Sequence, residues 1–368
     1  MFDRLPEYPW QKLNPFRVVA AQHPDGAIDL SVGNPIDPTP ELIQRALDSA
    51  SDSPGYPTTW GDAVTRQAVC DWFARRRNTP GLTPEKVMLT IGSKEFISWL
   101  PIMLGLGPAD VVVQPSLAYT AYEVGAALAS AQLHVGDDPD SWPENTKLIW
   151  INSPGNPNGA VLSVEQMRRA VQRARELGAV IVSDECYAEM GWEEPWKQYI
   201  PCILDPEVSS GDHENILAIY SLSKQSNLAG YRAAFAAGDP GLIKGLVNLR
   251  MHSGMMVPNP VQKAMTVALG DDEHVAVQKA LYQNRRDILL PALLANGFRV
   301  EDSEAGLYLW ATKGQNCWQS IEELANLGII AVPGDFYGSA GQQFVRFSVT
   351  ASDQEIKTAA HRLFNALG

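Results

Sequence analysis

Lys224 stands one residue after Ser223 and three after Ser221 in the stretch 221-SLSKQSNLAGYRAA-234, directly behind the apolar run 216-ILAIY-220. A lysine amine attacks carbonyl carbon when it is partly neutral, a state promoted by desolvation and by nearby positive charge. Arg232, a planar fork suited to phosphate oxygens, follows in the same stretch. Other apolar runs also end in polar groups. Gly92-Ser93-Lys94 follow 87-VMLTI-91, Asn156 lies in 153-SPGNP-157 behind 147-KLIWIN-152, and Asp184 and Tyr187 close 179-AVIVSDECY-187. Singly, each has a plainer use. Asp184 could cap a helix, Asn156 could form a turn, Tyr187 could pack, and Lys224 could sit in solvent. Jointly, at successive strand ends, they offer an anion cradle, an amide, a carboxylate, a phenol and an amine.

Those runs read as strands buried on both faces. Helical stretches separate them, and the clearest has a capping box at Ser163 and Gln166, an apolar face at Val164, Met167, Val171 and Ala174, and Gly178 at its end. Buried strands alternating with helices predict a mostly parallel α/β sheet, whose ligands bind at the carboxyl ends of its strands. A backbone N–H cradle where Ser93 and Lys94 open a helix suits an anion. After about residue 260, helices over 258–270 and 273–295 precede strand-like pieces at 307–312, 329–334 and 344–349 and a helix from 353. That order predicts a second, smaller α+β domain. We expect a Pro- and aromatic-rich arm with part of the small domain over 1–35, a large domain over 36–258 with its boundary in 254-GMMVPNP-260, and a small domain over 259–368.

The chain of 368 residues carries a net charge of −13, which opposes nonspecific binding to nucleic acid or anionic membrane but not a local anion site. No run reaches the length of a membrane span. Cys70, Cys186, Cys202 and Cys317 lack metal-ligand spacing, so no metal is expected. With no basic and apolar leader at the start, a cytoplasmic protein with free thiols is expected.

The stretch SLSKQSNLAGYRAA resembles, position by position, the pyridoxal-phosphate attachment signature of the class I/II aminotransferases of fold type I. Supporting motifs occur in the same order: 33-GNP-35, 55-GYPTTWG-61, 92-GSKE-95, 152-NSPGNPNG-159, 184-DECY-187, 332-VPGDFYG-338 and 345-VRFS-348. The resemblance spans nearly the whole chain. More narrowly, MFDRLPEYPWQKLNPF, 24-PDGAIDLSVGNPIDP-38 and 251-MHSGMMVPNPVQ-262 look like actinobacterial N-succinyldiaminopimelate aminotransferases of lysine and diaminopimelate biosynthesis.

The resemblance implies the cofactor pyridoxal 5′-phosphate, small-molecule amino-acid and 2-oxo-acid substrates, and a homodimer with shared active sites. It implies that Lys224 joins the cofactor's aldehyde and moves the substrate proton. Asp184 would pair with the ring nitrogen, Asn156 and Tyr187 with the ring oxygen, and Tyr119 would stack on the ring. Backbone groups of Ser93 and Lys94, the hydroxyls of Ser221 and Ser223, and Arg232 would hold the phosphate, joined by Tyr56 of the other subunit. Arg346, with Gly33 and Asn156, would take the substrate α-carboxylate. Two departures stand out: 117-LAYTAY-122 lacks the prolines common around the stacking aromatic, and Ala234 replaces a common glycine.

The S-x-x-K spacing of Ser221 and Lys224 also occurs in penicillin-binding proteins and β-lactamases, but the S-D-N and K-T-G companions are missing. A nicotinamide dehydrogenase would show G-x-G-x-x-G after a strand, which is absent. Within the resembled family the alternatives are an aspartate or other amino-acid aminotransferase, a C–S lyase, or an effector-binding domain without catalysis. For the distal end of a substrate, the arm, the 56–60 loop and the 250–260 segment are candidates, with Arg250 and His252 equally readable as surface residues.

Overall fold

The computed structural model describes residues 5–6 and 9–366. The remaining arm residues, 1–4 and 7–8, lie outside the described part. Pro9–Leu13 form a 3-10 turn that runs into α1 (Asn14–Ala20), followed by β1 (Ile28–Asp29). Then come α2 (Glu41–Ser49), α3 (Ala63–Arg76), β2 (Val87–Ile91), α4 (Ser93–Met103), β3 (Val111–Gln114) and α5 (Ala121–Ala129). They continue into β4 (Gln132–Val135), β5 (Thr146–Asn152), α6 (Val164–Leu177), β6 (Val180–Asp184) and the short α7 (Pro206–Ser209). β7 (Ile216–Ser221), β8 (Ala233–Gly238), α8 (Pro240–His252), α9 (Asn259–Gly270) and α10 (Glu273–Ala295) follow. The chain closes with β9 (Arg299–Glu301), β10 (Tyr308–Thr312), α11 (Cys317–Asn326), β11 (Ile329–Ile330), β12 (Val332–Pro333), β13 (Phe344–Ser348) and α12 (Asp353–Asn365).

Seven strands form the main sheet in the order β2-β8-β7-β6-β5-β3-β4, all parallel except β8. Alternate residues on these strands feed two cores. Val87, Leu89, Ile149, Ile181, Ala218 and Phe235 face the core shared with α3, α6 and α9, while Met88, Leu148, Trp150, Val182, Leu217 and Ala236 face α4, α5 and α8. Burial on both faces is why these strands are continuous apolar runs rather than alternating ones. α6 forms as its sequence predicts: Ser163 and Gln166 cap each other reciprocally, and Gly178 ends the helix at φ 60°.

A second core gathers Leu13, Ile28 and Leu30 with the far half of α10 (Leu289, Ala292, Leu293), strands β10 and β13, α11 and α12. The four-stranded antiparallel sheet β12-β13-β10-β9 belongs to it, and β1 pairs in parallel with β11. Two sequence expectations shift here. The arm is partly helical, because α1 turns Phe16 onto Trp318 with ring centroids 5.5 Å apart. The boundary expected at 258 does not coincide with a change of core: Val261, Ala264, Met265, Ala268 and Leu269 of α9 pack into the large core. α10 then bridges the two. Its Arg285 binds Asp37 through both Nη atoms at 2.8 and 2.6 Å and Asp353 through Nε at 2.6 Å.

Candidate active site

The sheet's topology explains why distant segments meet. Asn152 lies opposite Asp184 in the β5–β6 pairing, at the carboxyl ends of two parallel strands. β8 runs the other way, so its first residue, Ala233, sits beside Ile91 at the end of β2, and Ala234 lies opposite Ser221 at the end of β7. Arg232, one residue before β8, is thereby delivered to the edge that carries Ser93, Ser221 and Lys224.

A cleft of about 470 Å³ opens at that edge. Of the residues expected from sequence, Gly33, Ser93, Lys94, Tyr119, Asn156, Asp184, Tyr187, Ser221, Ser223, Lys224, Arg232 and Arg346 line it. Tyr56 does not; it is 99% exposed. Arg250 is no surface residue: it is fully buried and bonds both oxygens of Glu95 at 2.7 and 3.0 Å, tying α8 to the first turn of α4. Glu95 also accepts from the Ile91 N–H at 3.3 Å, so this pair fixes the turn that presents Ser93. His252 is exposed and lies outside the cleft.

At one end of the cleft the groups favour an anion. Ser221 and Ser223 share a hydrogen bond of 2.8 Å, and Ser93 and Lys94 open α4 just after Gly92, whose φ is +74°. A Cβ at Gly92 would lie 2.2 Å from Arg232 Nη2, so glycine is what lets the guanidinium lie against the backbone there. In the middle, Asp184 accepts from the Tyr122 hydroxyl at 3.0 Å and from the Cys186 N–H at 3.2 Å. Burial holds its carboxyl above the usual carboxylate range. Burial also holds the Lys224 ammonium below the usual lysine range, reinforced by Arg346 and Arg232 and opposed by Tyr308 and Cys186. Lys224 Nζ donates to the Gly33 carbonyl.

At the other end Arg346 is fully buried and donates to Asn156 Oδ1 at 2.8 Å and to the Ser31 carbonyl at 2.7 Å. Its guanidinium carbon lies 3.8 Å from the Tyr308 ring centroid. Among the described residues no carboxylate pairs with it, and its Nε has no partner. A desolvated guanidinium without an acidic partner is costly, and an incoming carboxylate relieves that cost.

Several neighbours were not read from sequence. Tyr308 shares a 3.1 Å hydrogen bond with Tyr187. Burial raises the Tyr187 phenol well above its ordinary value, with Tyr308 adding to the rise. Burial pushes Tyr308 the same way, but Arg346 and Lys224 outweigh it and hold it below the ordinary range. Tyr122 stacks on Trp150 with centroids 5.0 Å apart while it holds Asp184. Asn152 accepts from the Asn156 N–H at 2.8 Å and donates to the Asp184 carbonyl at 2.8 Å, setting those two residues relative to each other. Tyr, Trp and Asn on or beside apolar runs carry little signal of such roles.

Ser226, His274 and Asp271 form a relay of 2.8 and 2.7 Å that has the look of a hydrolytic triad. Ser226 is fully buried and outside the cleft, so the relay clamps the turn after Lys224 rather than serving as a nucleophile.

Residues 25–363 match the family of class I and II aminotransferases. The chain belongs to that family. A 4-dedimethylamino-4-oxo-anhydrotetracycline transaminase of Streptomyces rimosus is 49% identical over 360 residues, covering 98% of this chain and 99% of its own. An LL-diaminopimelate aminotransferase of Aquifex aeolicus is 32% identical over 386 residues, covering 98% and 97%. Among solved structures, an aminotransferase of Neisseria meningitidis superposes with a TM-score of 0.90 at 27% identity, covering 99% of this chain and 98% of that one. The fold is therefore that of these aminotransferases, and the cofactor is pyridoxal phosphate. The donor set fits it: an anion cradle that a Cβ at Gly92 would fill, a desolvated carboxylate for a protonated ring nitrogen, and a lysine whose charged form burial disfavours. Among the described residues no helix is long and apolar enough to cross a membrane.

Proposed function

We propose that this aminotransferase moves the amino group between glutamate and an N-succinylated 2-amino-6-oxopimelate, forming N-succinyl-LL-2,6-diaminopimelate by ping-pong half-reactions. The observation that carries a carboxylate-bearing amino-acid substrate is Arg346, buried, without an acidic partner, and open to the cleft. The relatives named for LL-diaminopimelate support a diaminopimelate-type substrate. The Streptomyces relative is named for a polycyclic ketone, which makes such a ketone the rival acceptor to include.

When bound, pyridoxal phosphate supplies the electron sink that makes a substrate Cα–H acidic. Asp184 would pair with the ring nitrogen and favour its protonated form, and Tyr122 and the Cys186 N–H hold the carboxylate in place. Arg346 and Asn156 fix the α-carboxylate, which turns the Cα–H toward Lys224. Lys224, whose ammonium burial disfavours, is placed to take the Cα proton of the amino donor on its amine and, in the second half-reaction, to give a proton to Cα of the product amino acid. Ser93, Lys94, Ser221, Ser223 and Arg232 would hold the phosphate, and Tyr119, which lines the same cleft, would lie against the ring. Arg346 needs the carboxylate to stay on the substrate, which favours transamination over decarboxylation.

A homodimer completes the reading. Tyr56, Tyr231 and Met251 are exposed at 99%, 41% and 52%, as suits side chains that a second copy would cover. The deciding experiment supplies N-succinyl-LL-2,6-diaminopimelate, free LL-diaminopimelate, aspartate and alanine as donors to 2-oxoglutarate, measures glutamate formed, and adds a polycyclic ketone as acceptor. The succinylated substrate should give the highest kcat/KM. A decisive preference for aspartate or for the ketone would overturn the substrate while leaving the aminotransferase in place.

A further inference from the structure

Arg17 of α1 lines the same cleft as Arg346. The two are joined through one residue: Arg346 Nη2 donates to the Ser31 carbonyl at 2.7 Å, and Arg17 Nη2 donates to the Ser31 hydroxyl at 3.3 Å. Two hydrogen bonds and the span of one serine keep the guanidinia within about 10 Å of each other. The carbon–carbon bonds of a chain of roughly five to seven carbons can bridge such a gap.

Arg17 is loosely held. Its ion pair with Asp29 is 3.3 Å long, longer than the 2.6 Å contacts of Arg285 and outside the 2.7–2.9 Å usual for charge-assisted bonds. Asp29 takes the Ser31 N–H at 2.8 Å and the Ser31 hydroxyl on Oδ1, which leaves Oδ2 to the longer contact with Arg17. Asp29 does not line the cleft, whereas Arg17 does, with 37% of its side chain still exposed. Among the described residues the cleft wall holds the cations Arg17, Lys94, Lys224, Arg232 and Arg346 against the single acid Asp184. Arg232 and Lys224 face the cofactor's end and Arg346 the α-carboxylate. Lys94, on the first turn of α4, also lines a neighbouring cavity with Pro9 and Phe336 and is the rival cation to test. Arg17, held by the 3.3 Å contacts with Asp29 and the Ser31 hydroxyl, is the cleft cation that none of these roles uses, and Trp10 and Phe336, 6.0 Å apart, give the cleft an aromatic wall suited to a methylene chain.

We propose that Arg17 is the specificity-determining residue that binds the second carboxylate of a dicarboxylate substrate, glutamate and the pimelate-type partner alike. This rests on the reading above that the substrate carries a distal carboxylate. Asp29 and Ser31 act as positioning residues that hold the fork at the mouth.

The test uses unreactive acids and the holoenzyme. Glutarate and pimelate are titrated against butyrate and hexanoate by calorimetry, with wild type, Arg17→Gln, Arg17→Lys and Lys94→Gln. A charged hydrogen bond at a half-exposed site predicts that Arg17→Gln lowers the dicarboxylate-to-monocarboxylate affinity ratio by about tenfold to a hundredfold. Arg17→Lys, which keeps the charge and the fold but loses the fork, should fall between the two. A wild-type ratio in Arg17→Gln, or loss of the ratio in Lys94→Gln instead, overturns the proposal. Turnover of N-succinyl-LL-2,6-diaminopimelate by Arg17→Gln at wild-type KM overturns it while sparing the substrate reading. A lost ratio in Arg17→Gln, in a wild-type enzyme that rejects the succinylated substrate, upholds Arg17 and sinks that reading alone.

Discussion

Substituting Gly92 by alanine isolates the phosphate cradle. Its φ of +74° with ψ 160° lies in a region open essentially to glycine, so an alanine there costs about 1–3 kcal/mol, which the whole protein bears. The new Cβ would also lie 2.2 Å from Arg232 Nη2 and 2.7 Å from its guanidinium carbon, so Arg232 must swing away. A lost charge-assisted contact to phosphate is worth about 1.5–3 kcal/mol, or roughly a tenfold to hundredfold weaker hold on the cofactor. Gly105, at the other end of α4, provides the control: its φ is +73° and nothing lies within 4 Å of a Cβ there. Apo-protein would be made by amine exchange and dialysis, then titrated with pyridoxal phosphate while tryptophan fluorescence is followed. Both alanine variants should lose stability in urea, Gly92→Ala at least as much as Gly105→Ala, but Gly92→Ala alone should lose cofactor affinity. Equal cofactor affinity in the two variants would refute the placement of Arg232 on the phosphate.

Arg346→Ala should raise KM for glutamate and for the amino acceptor by about a hundredfold, since its fork would give a bound carboxylate two charged hydrogen bonds, with the cofactor's own dissociation constant little changed. Arg250→Ala leaves Glu95 facing an empty, buried site and should cost about 3–5 kcal/mol in denaturant unfolding, whereas replacing both partners by apolar residues should cost far less. In apo-protein, Asp184 binds its proton more tightly folded than unfolded, so its charged form costs stability at neutral pH and the cost fades as pH falls through the folded pKa. Apo Asp184→Asn should therefore melt higher than apo wild type at neutral pH, with the gap closing on acidification, and should bind the cofactor more weakly; a gap that widens in acid would contradict the sign.

The site was legible where chemistry interrupts a simple pattern. Asp184, Asn156 and Lys224 stand where doubly buried parallel strands stop, and apolar runs mark those stops clearly. The Ala-rich β8, 233-AAFAAG-238, carries little strand signal of its own and is made a strand by β2 and β7 on either side. Tyr308 and Tyr122 lie in or beside apolar segments, where a tyrosine reads as packing, and only the fold shows the first against Arg346 and the second on Asp184. Arg250 gives a charge but no partner, because Glu95 lies 155 residues away. Arg17 was hidden for a related reason: the arm's short helix is too brief to show a period, and its meeting with Ser31 depends on β1 pairing with β11. α9 was assigned to the following unit because the Pro- and Gly-rich 254-GMMVPNP-260 resembles a linker, yet its apolar face fits α2 and α3.

The most direct test of the whole account is the identity of the lysine that holds the cofactor. Purified holoenzyme would be treated with borohydride, digested, and its peptides weighed by mass spectrometry. The pyridoxyl adduct should sit on Lys224 alone, and Lys224→Ala should show no adduct and no turnover. An adduct on another lysine, or transamination that survives in Lys224→Ala, would contradict the account.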